Sequence, residues 1–557
     1  METKMNKKID WSLTLFPFFS IVLLCILFFV QPEASNAALS AVRGFLGNEL
    51  GLFYLLVGLG VFLLSLYLAF SRYGGIVLGE PGEKPRYSFF RWGAMMFTAG
   101  LAADILFYSF CEWLSYAGET HVLSMGPLQD WAVTYSLFHW GLIPWGFYLL
   151  LAAAFGFMLH VRKGYRQKYS EACRPLLGKY TDGFAGRLID LLAVFALLAG
   201  TATTFSVATP LLAEAVRKLF GLPLDTRTVT ILILLLTCAL YTVAVLRGMA
   251  GISLLASLCS WLFYGLLAYV LLFGGECRFI LENGFAAVGR LIQNFFPMAT
   301  YTDPLRENFF PQNWTIFFWA YWMVWCVAAP FFIGSISRGR RIRDVILGGY
   351  AFGVGSTCLS FLILGNYSLG LQLSGRLDVL GLYHMTGNLY RTIISVAETL
   401  PLSPLVLLVL ILTMIAFYAT SFDSIALVAA QYSYRELREG EEPGSAVKAL
   451  WAVLLILLPV ALVFSESSMA NLQSVSIIAA FPIGFVILLI SVSFLKDAKK
   501  YKEEELPLLE RRTSGKRLPE LGNLKEQTRA GEGCLDPMSD EGIEVLLENW
   551  ERSYGER

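Results

Sequence analysis

The sequence predicts an all-α protein that crosses a membrane many times. Three observations point to this class. Apolar residues make up 56% of the 557-residue chain, charged residues make up only 15%, and the charges cluster between long apolar runs. Soluble domains carry about 25% charged residues. The composition therefore excludes a disordered chain, a nucleic-acid-binding protein and a compact soluble enzyme.

About twelve apolar segments are long enough to cross a bilayer, which takes about 20 helical residues. Helices are expected because a backbone exposed to lipid has to satisfy its own hydrogen bonds. The first segment follows three lysines as a signal peptide would, but its length and the nearby second segment favour an uncleaved helix. The segments lie near residues 11–30, 51–71, 89–117, 131–160, 185–216, 227–247, 252–275, 313–336, 344–366, 402–430, 447–465 and 474–495.

The connecting loops predict the orientation of the chain. Lys and Arg total 43 and Asp and Glu total 43, so the net charge of zero says little by itself. The basic residues concentrate in alternate loops, at 72–91, 161–187, 337–343 and 431–448, while the intervening loop 118–130 has none. Because basic loops stay on the cytoplasmic side, we expect both termini to face the cytoplasm.

Three polar stretches are not predicted to span. Apolar residues recur at helical spacing over 278–296, which predicts an amphipathic helix lying on the membrane surface. A shorter helix of the same kind is expected over 379–397. The tail 496–557 is polar with charges of both signs, and we expect it to be largely unstructured apart from a short helix near 540–551.

Aromatic residues inside two segments are the first candidate for chemistry. The fourth segment carries Trp140, Trp145 and Tyr148, and the eighth carries Trp322 and Trp325 on one helix face. Tryptophan and tyrosine also form belts at membrane interfaces, or pack in cores, but these rings lie a few turns inside their segments. A cage of such rings would bind a quaternary ammonium group, which has no N–H to donate.

Acidic and hydroxyl residues inside other segments are the second candidate. Asp104 lies near the middle of the third segment, and no neighbouring segment has a central arginine to pair with it. Intramembrane acids usually mark a path for an ion, a proton or a substrate. Glu112 is either a second such group or a residue near the outer interface. Thr420 and Ser421 in the tenth segment either bond to their own helix or coordinate Na⁺.

The remaining reactive residues suggest no catalytic centre. The nine cysteines and four histidines are dispersed without metal-ligand spacing, and no Ser/His/Asp constellation is visible. We therefore expect a protein that is not an enzyme and that holds no resident metal or cofactor.

Three motifs resemble the betaine/choline/carnitine transporter family. They are Phe138–Tyr148, Trp314–Trp325 followed by Ile336–Arg340, and Thr420–Ser424, in the family's order and on the corresponding segments. The resemblance covers roughly residues 10–495. It implies twelve spans with a LeuT-like core of two inverted five-helix repeats and a substrate site at the midplane between broken helices.

The resemblance also implies how the chain is divided. The parts would be a cytoplasmic N-terminus (1–10), two peripheral helices (11–71), a first repeat (89–275), an outer interfacial helix and loop (276–312), a second repeat (313–495) and a charged cytoplasmic tail (496–557). The helix breaks would lie at Gly100–Asp104 and Ala328–Pro330. The interfacial helix would help three copies assemble as a homotrimer.

Site residues also follow from the resemblance. The family's aromatic box corresponds to Trp140, Trp145, Tyr148 and Trp322, with Trp325 and Phe107 close by. Other positions depart from the family. Tyr321 stands where members often have tryptophan, and Ala328 stands where some sodium-coupled members keep an aromatic residue, which weakens one of two sodium sites. Thr420 and Ser421 preserve hydroxyls at the other sodium site.

Asp104 stands where sodium-coupled glycine-betaine carriers tend to have glycine and where proton-coupled choline carriers have aspartate. A charged Asp104 would repel the carboxylate of glycine betaine and complement choline, which is a net cation. A carboxylate that titrates could also couple uptake to protons.

We therefore expect a secondary active transporter, in the cell (inner) membrane, for choline or a related net-cationic quaternary ammonium compound. The coupling ion would be H⁺ at Asp104 or Na⁺ at Thr420 and Ser421. The alternatives are a carrier of glycine betaine or carnitine, by symport or exchange, and an osmoregulated transporter-sensor. The tail does not favour the sensor, because it has no basic block to bind anionic lipid. No nucleic-acid partner is expected.

Overall fold

The computed structural model describes residues 9–99, 103–164, 166–247, 252–435, 437, 441–465 and 467–506. Within these residues the chain is helical, with two isolated bridges and no strands. Of the expected break at Gly100–Asp104, only Ala103 and Asp104 are described. The expected helix near 540–551 lies outside the described residues.

The helices follow the predicted apolar segments. The first half of the chain forms α1 (Trp11–Val30), α2 (Pro32–Asn48), α3 (Gly51–Phe70), α4 (Phe89–Ala99), α5 (Ala103–Tyr116), α6 (Thr120–Met125), α7 (Leu128–His139), α8 (Leu142–His160), α9 (Tyr169–Ala172), α10 (Arg174–Leu177), α11 (Phe184–Phe220), α12 (Thr226–Arg247) and α13 (Ile252–Phe273). Short 3₁₀ turns lie at Arg72–Gly75 and Gly178–Asp182.

The second half continues the all-helical pattern. It forms α14 (Cys277–Ala299), α15 (Ile316–Trp325), α16 (Ala329–Ile336), α17 (Ile342–Gly349), α18 (Gly355–Ser360), α19 (Asn366–Leu373), α20 (Val379–Thr386), α21 (Leu389–Glu398), α22 (Ser403–Tyr432), α23 (Ser445–Phe464) and α24 (Met469–Lys500). Single π-helical turns lie at Pro311–Thr315, Tyr350–Val354, Phe361–Gly365 and Tyr501–Glu505.

Each of the twelve predicted segments falls on helix, which confirms an all-α membrane protein. By length and composition, eight helices of the described chain can cross a membrane, or up to ten if each of two bent pairs is one span. One of these pairs is α13 with α14, bent by 111°. Since α14 turns so sharply away from α13, it fits the predicted surface helix better than a continued span. The count of twelve spans stays a prediction.

Helix packing is reciprocal between the two halves of the chain. Helix α11 packs on α24, α13 packs on α22, and α12 packs on α23. Suppose that α11, α12 and α13 of the first half correspond to α22, α23 and α24 of the second half. The contact of α11 with α24 is then equivalent to the contact of α22 with α13, and α12 packs on its own counterpart, α23. Two related repeats would give this pattern. The division of the chain into two inverted five-helix repeats stays a prediction.

The predicted cytoplasmic loops meet at one end of the bundle. Contacts that join them include the bridge between Val77 and Arg341, the hydrogen bond from Asp10 N to Ser433 O at 2.8 Å, and the ion pair of Arg162 with Asp497 at 2.6 Å. Agreement between loop charge and loop position supports the predicted topology. That this end faces the cytoplasm stays a prediction.

Two regions differ in detail from the sequence prediction. Over 379–397 the chain forms two helices instead of one, because Gly387 ends α20 in the left-handed conformation and the Asn388 side chain caps the start of α21. The last long helix continues through Lys500 into a π turn, so the first residues of the tail are ordered. The Arg162–Asp497 pair holds that extension.

Helices α8 and α16 cross at two glycines, and this crossing generates a stability prediction. A Cβ on Gly334 would meet the backbone N of Gly156 at 2.8 Å and the carbonyl of Ala152 at 3.0 Å. We expect Gly334→Val to lower the free energy of unfolding by about 1–3 kcal/mol through overpacking, seen as a lower thermal midpoint of the purified protein in detergent. The control is Gly60→Val, since nothing lies within 4 Å of a Cβ there. Equal midpoints for the two variants would contradict this packing.

Candidate functional site

The candidate residues lie near the ends of several helices. Asp104 is the second residue of α5, Trp140 lies at the break between α7 and α8, and Trp322 lies in the last turn of α15. The pair α15 and α16 is bent by 55° across residues 326–328, as predicted. Pro330 is in the first turn of α16, where a missing N–H costs no helical hydrogen bond.

Gly141 makes the break beside Trp140 possible. It is the N-cap of α8, and a Cβ at this position would lie 2.4 Å from the carbonyl oxygen of Leu137. Only glycine allows the backbone to fold back this closely, and the turn leaves the Trp140 side chain at the end of α7. The site therefore depends on a backbone feature one residue from the ring that it presents.

Four of the predicted box residues form one aromatic cluster. The Trp322 ring centroid lies 5.9 Å from that of Trp140, 5.7 Å from that of Trp145 and 4.7 Å from that of Tyr148. Trp145 and Tyr148 are themselves 5.6 Å apart. All four side chains are buried. Burial of this kind does not fit an interfacial belt, and the ring planes are inclined to one another at 54° to 73°.

The cluster is closed in this conformation. The ring centroids lie 4.7–5.9 Å apart, so the rings contact one another directly. A cation can lie up to about 6 Å from each ring that it contacts, so two rings that hold a cation between them have to be farther apart than this. Trp145 is fixed from behind, because its Nε1 donates to Thr357 Oγ1 at 3.2 Å and a Cβ on Gly353 would meet its ring at 2.4 Å. Among the described residues, Trp322 Nε1 has no hydrogen-bond partner. Trp322 is therefore held there by its contacts with the other three rings and not by a hydrogen bond of its indole.

Trp325 and Phe107 are not brought into ring contact with these four residues. Trp325 is half-buried and its Nε1 donates to Thr204 Oγ1 on α11 at 3.2 Å. The Phe107 ring lies 5.2 Å from that of Tyr390 on α21. Its neighbour Tyr108 reaches the cluster instead, with its ring 5.5 Å from that of Trp140.

Asp104 is 3% exposed, and its Oδ2 accepts a hydrogen bond from the Tyr321 hydroxyl at 2.6 Å. Its Oδ1 is buried and has no side-chain partner among the described residues. No Lys or Arg among the described residues forms an ion pair with it. Burying a carboxylate without a counterion is costly, so this oxygen would favour the approach of a cation.

A chain of hydrogen bonds extends from Asp104 to Trp325. The Tyr321 hydroxyl also bonds to Thr204 Oγ1, which in turn accepts from Trp325 Nε1. Tyr321 and Trp322 are adjacent, so the carboxylate and the cage are linked through one helical turn of α15. Sequence reasoning marked Tyr321 as a departure from the family but gave it no role. Asp104 also differs from many family members, and two such differences in one chain can indicate that the two side chains contact each other.

The two residues predicted to coordinate Na⁺ are described only in part. Thr420 and Ser421 lie on the continuous helix α22. The side chain of Thr420 lies outside the described residues, and Ser421 is half-buried. The involvement of both residues in ion coupling stays a prediction.

Comparison with known proteins gives two findings. The model of the BCCT family, described as betaine/carnitine/choline family transporter, matches residues 12–503. The chain is also similar to the uncharacterized transporter YeaV of Escherichia coli (strain K12), with 30% identity over 434 residues, which is 77% of this chain and 89% of the relative.

The aromatic cluster predicts how substitutions change cation binding. We expect Trp322→Leu to weaken binding of tetramethylammonium by about 2- to 30-fold, since one ring face contributes about 0.5–2 kcal/mol. Titration calorimetry on the purified protein measures this. Trp314→Leu is the matched control, because the Trp314 indole donates to Glu119 at 2.7 Å and its ring contacts none of the four cage rings. Equal losses in the two variants would contradict a cage at Trp322.

Proposed function

The chain belongs to the betaine/carnitine/choline family of transporters, and on that premise we propose that it carries choline or a similar net-cationic quaternary ammonium compound. Transport would be secondary active, across the cell membrane, with both termini in the cytoplasm. The family itself establishes a multi-pass transporter for substrates of the betaine, carnitine and choline type.

The aromatic cluster supports recognition of the quaternary ammonium group. Such a group carries a charge but no N–H, so it cannot be bound by hydrogen-bond acceptors alone. Buried aromatic rings meet between α8 and α15 at Trp140, Trp145, Tyr148 and Trp322. In a site without water, each face attracts a cation more strongly than at an exposed surface.

The burial of Asp104 is the observation that favours a substrate with a net positive charge. Its Oδ1 is buried with neither a hydrogen bond nor an ion pair in the described residues. Tyr321 is adjacent to Trp322 on α15, so its hydrogen bond connects the carboxylate to the helix that carries one ring of the cage. A zwitterion would bring its own carboxylate into this region, whereas choline brings a positive charge and a hydroxyl.

Asp104 also supports proton coupling. A buried carboxylate with one oxygen free can be neutralised by a proton or by the substrate, and either event changes its hydrogen bond to Tyr321. Sodium coupling through Thr420 and Ser421 is the alternative that the test below separates. Assembly as a homotrimer through α14 is part of the same proposal.

Uptake into proteoliposomes tests the function. We expect radiolabelled choline to accumulate in response to an imposed pH gradient at clamped membrane potential, with little response to a sodium gradient. Choline should compete better than glycine betaine or carnitine. Accumulation that follows sodium alone, or uptake of glycine betaine with no affinity for choline, would overturn the respective part of the proposal.

Asp104→Gly tests the role of the carboxylate directly. We expect affinity for choline to fall by about 10-fold or more, which is about 1.4 kcal/mol per decade, and the response to the pH gradient to be lost. Asp190→Asn is the control, because Asp190 is a buried carboxylate that bonds to Ser170 instead. Unchanged choline affinity and pH response in Asp104→Gly would contradict the proposal.

A further inference from the structure

A second buried carboxylate lies on the same helix as Asp104. Glu112 is eight residues along α5, about 12 Å at 1.5 Å per residue, and is 1% exposed. Both of its oxygens are hydrogen bonded. Oε2 accepts from Trp140 Nε1 and Oε1 accepts from the Tyr116 hydroxyl, each at 2.6 Å. It is therefore directly joined to one ring of the cage.

Further contacts fix Glu112 in place. The Tyr116 hydroxyl also bonds to His139 Nδ1 at 2.6 Å, and His139 Nε2 bonds to Thr315 Oγ1 at 3.0 Å. His139 Nδ1 is itself 3.8 Å from Glu112 Oε1. The group thus ties together α5, α7 and the turn that precedes α15.

The bond to Trp140 has a specific chemical effect. An indole has a single N–H, so a carboxylate that accepts from it determines the rotation of the ring. A hydrogen bond to a charged acceptor is stronger than one to a neutral acceptor. It also shifts electron density into the indole, which raises the negative potential of the ring face that a cation would contact.

We propose that Glu112 is a positioning residue for the cage, which fixes the Trp140 indole and strengthens its attraction for the cation without touching the substrate. The part that concerns the cation rests on the proposed function. If Glu112 only stabilised the fold, its replacement would lower stability, and the size of that effect would not depend on the N–H of Trp140.

A double-mutant cycle separates these roles. Trp140→Phe keeps an aromatic ring but removes the N–H. We expect Glu112→Gln to raise the KM for choline about 3- to 10-fold with little change in Vmax, and to have almost no further effect in the Trp140→Phe background. Asp190→Asn is the matched control for loss of a buried carboxylate. An equal effect of Glu112→Gln in both backgrounds, or a fall in Vmax alone, would overturn the proposal.

Two additions keep the test decisive. Glu112→Asp keeps the acid but shortens the side chain, so it should raise KM in the same way if Glu112→Gln does not fold. Tryptophan fluorescence without substrate reports the contact itself. We expect Glu112→Gln to shift the emission, and to leave it unshifted when Trp140 is Phe. If the emission shifts but choline does not bind, the proposed substrate is wrong and the contact between Glu112 and Trp140 is supported. If the emission does not shift, the proposed contact is wrong for any substrate.

Discussion

A carboxylate buried in the apolar interior is the constraint on which the site depends. Asp104 has no basic partner among the described residues, and the side chain that stabilises it there is Tyr321, whose hydroxyl donates to it at 2.6 Å. Tyr321 lies close to the last turn of α15, which ends at Trp325 and is bent by 55° from α16. The same turn carries Trp322 into the cage. The position of the charge and the position of the rings are therefore set by one piece of backbone.

Helix α5 connects the two polar centres of the molecule. Near its start, Asp104 bonds to α15, and two turns later Glu112 bonds to Trp140 at the end of α7. A shift of α5 along its axis would change both contacts together. If the cage binds the substrate as proposed, α5 is the helix through which binding would affect the packing of these segments, as alternating access requires of a transporter.

Much of the fold and part of the site could be predicted from the sequence. Apolar runs determined the helices, and Pro330 marked the second break. Trp140, Trp145, Tyr148 and Trp322 were predicted as one group and lie together. The partners of the carboxylates were not predictable, because Tyr321 lies 217 residues from Asp104 and a tyrosine in an apolar helix gives no sign of its partner. Phe107 and Trp325 lie near by in the chain, yet their rings turn to Tyr390 and Thr204.

We propose above all that the site recognises the positive charge of a quaternary ammonium group. Equilibrium binding to the purified protein tests it most directly, by comparison of choline with its uncharged isostere 3,3-dimethylbutan-1-ol. The two ligands have nearly the same shape, so only attraction to the ring faces and to Asp104 distinguishes them. We expect choline to bind at least 10-fold more tightly than the isostere. Equal affinity for the two ligands would contradict it.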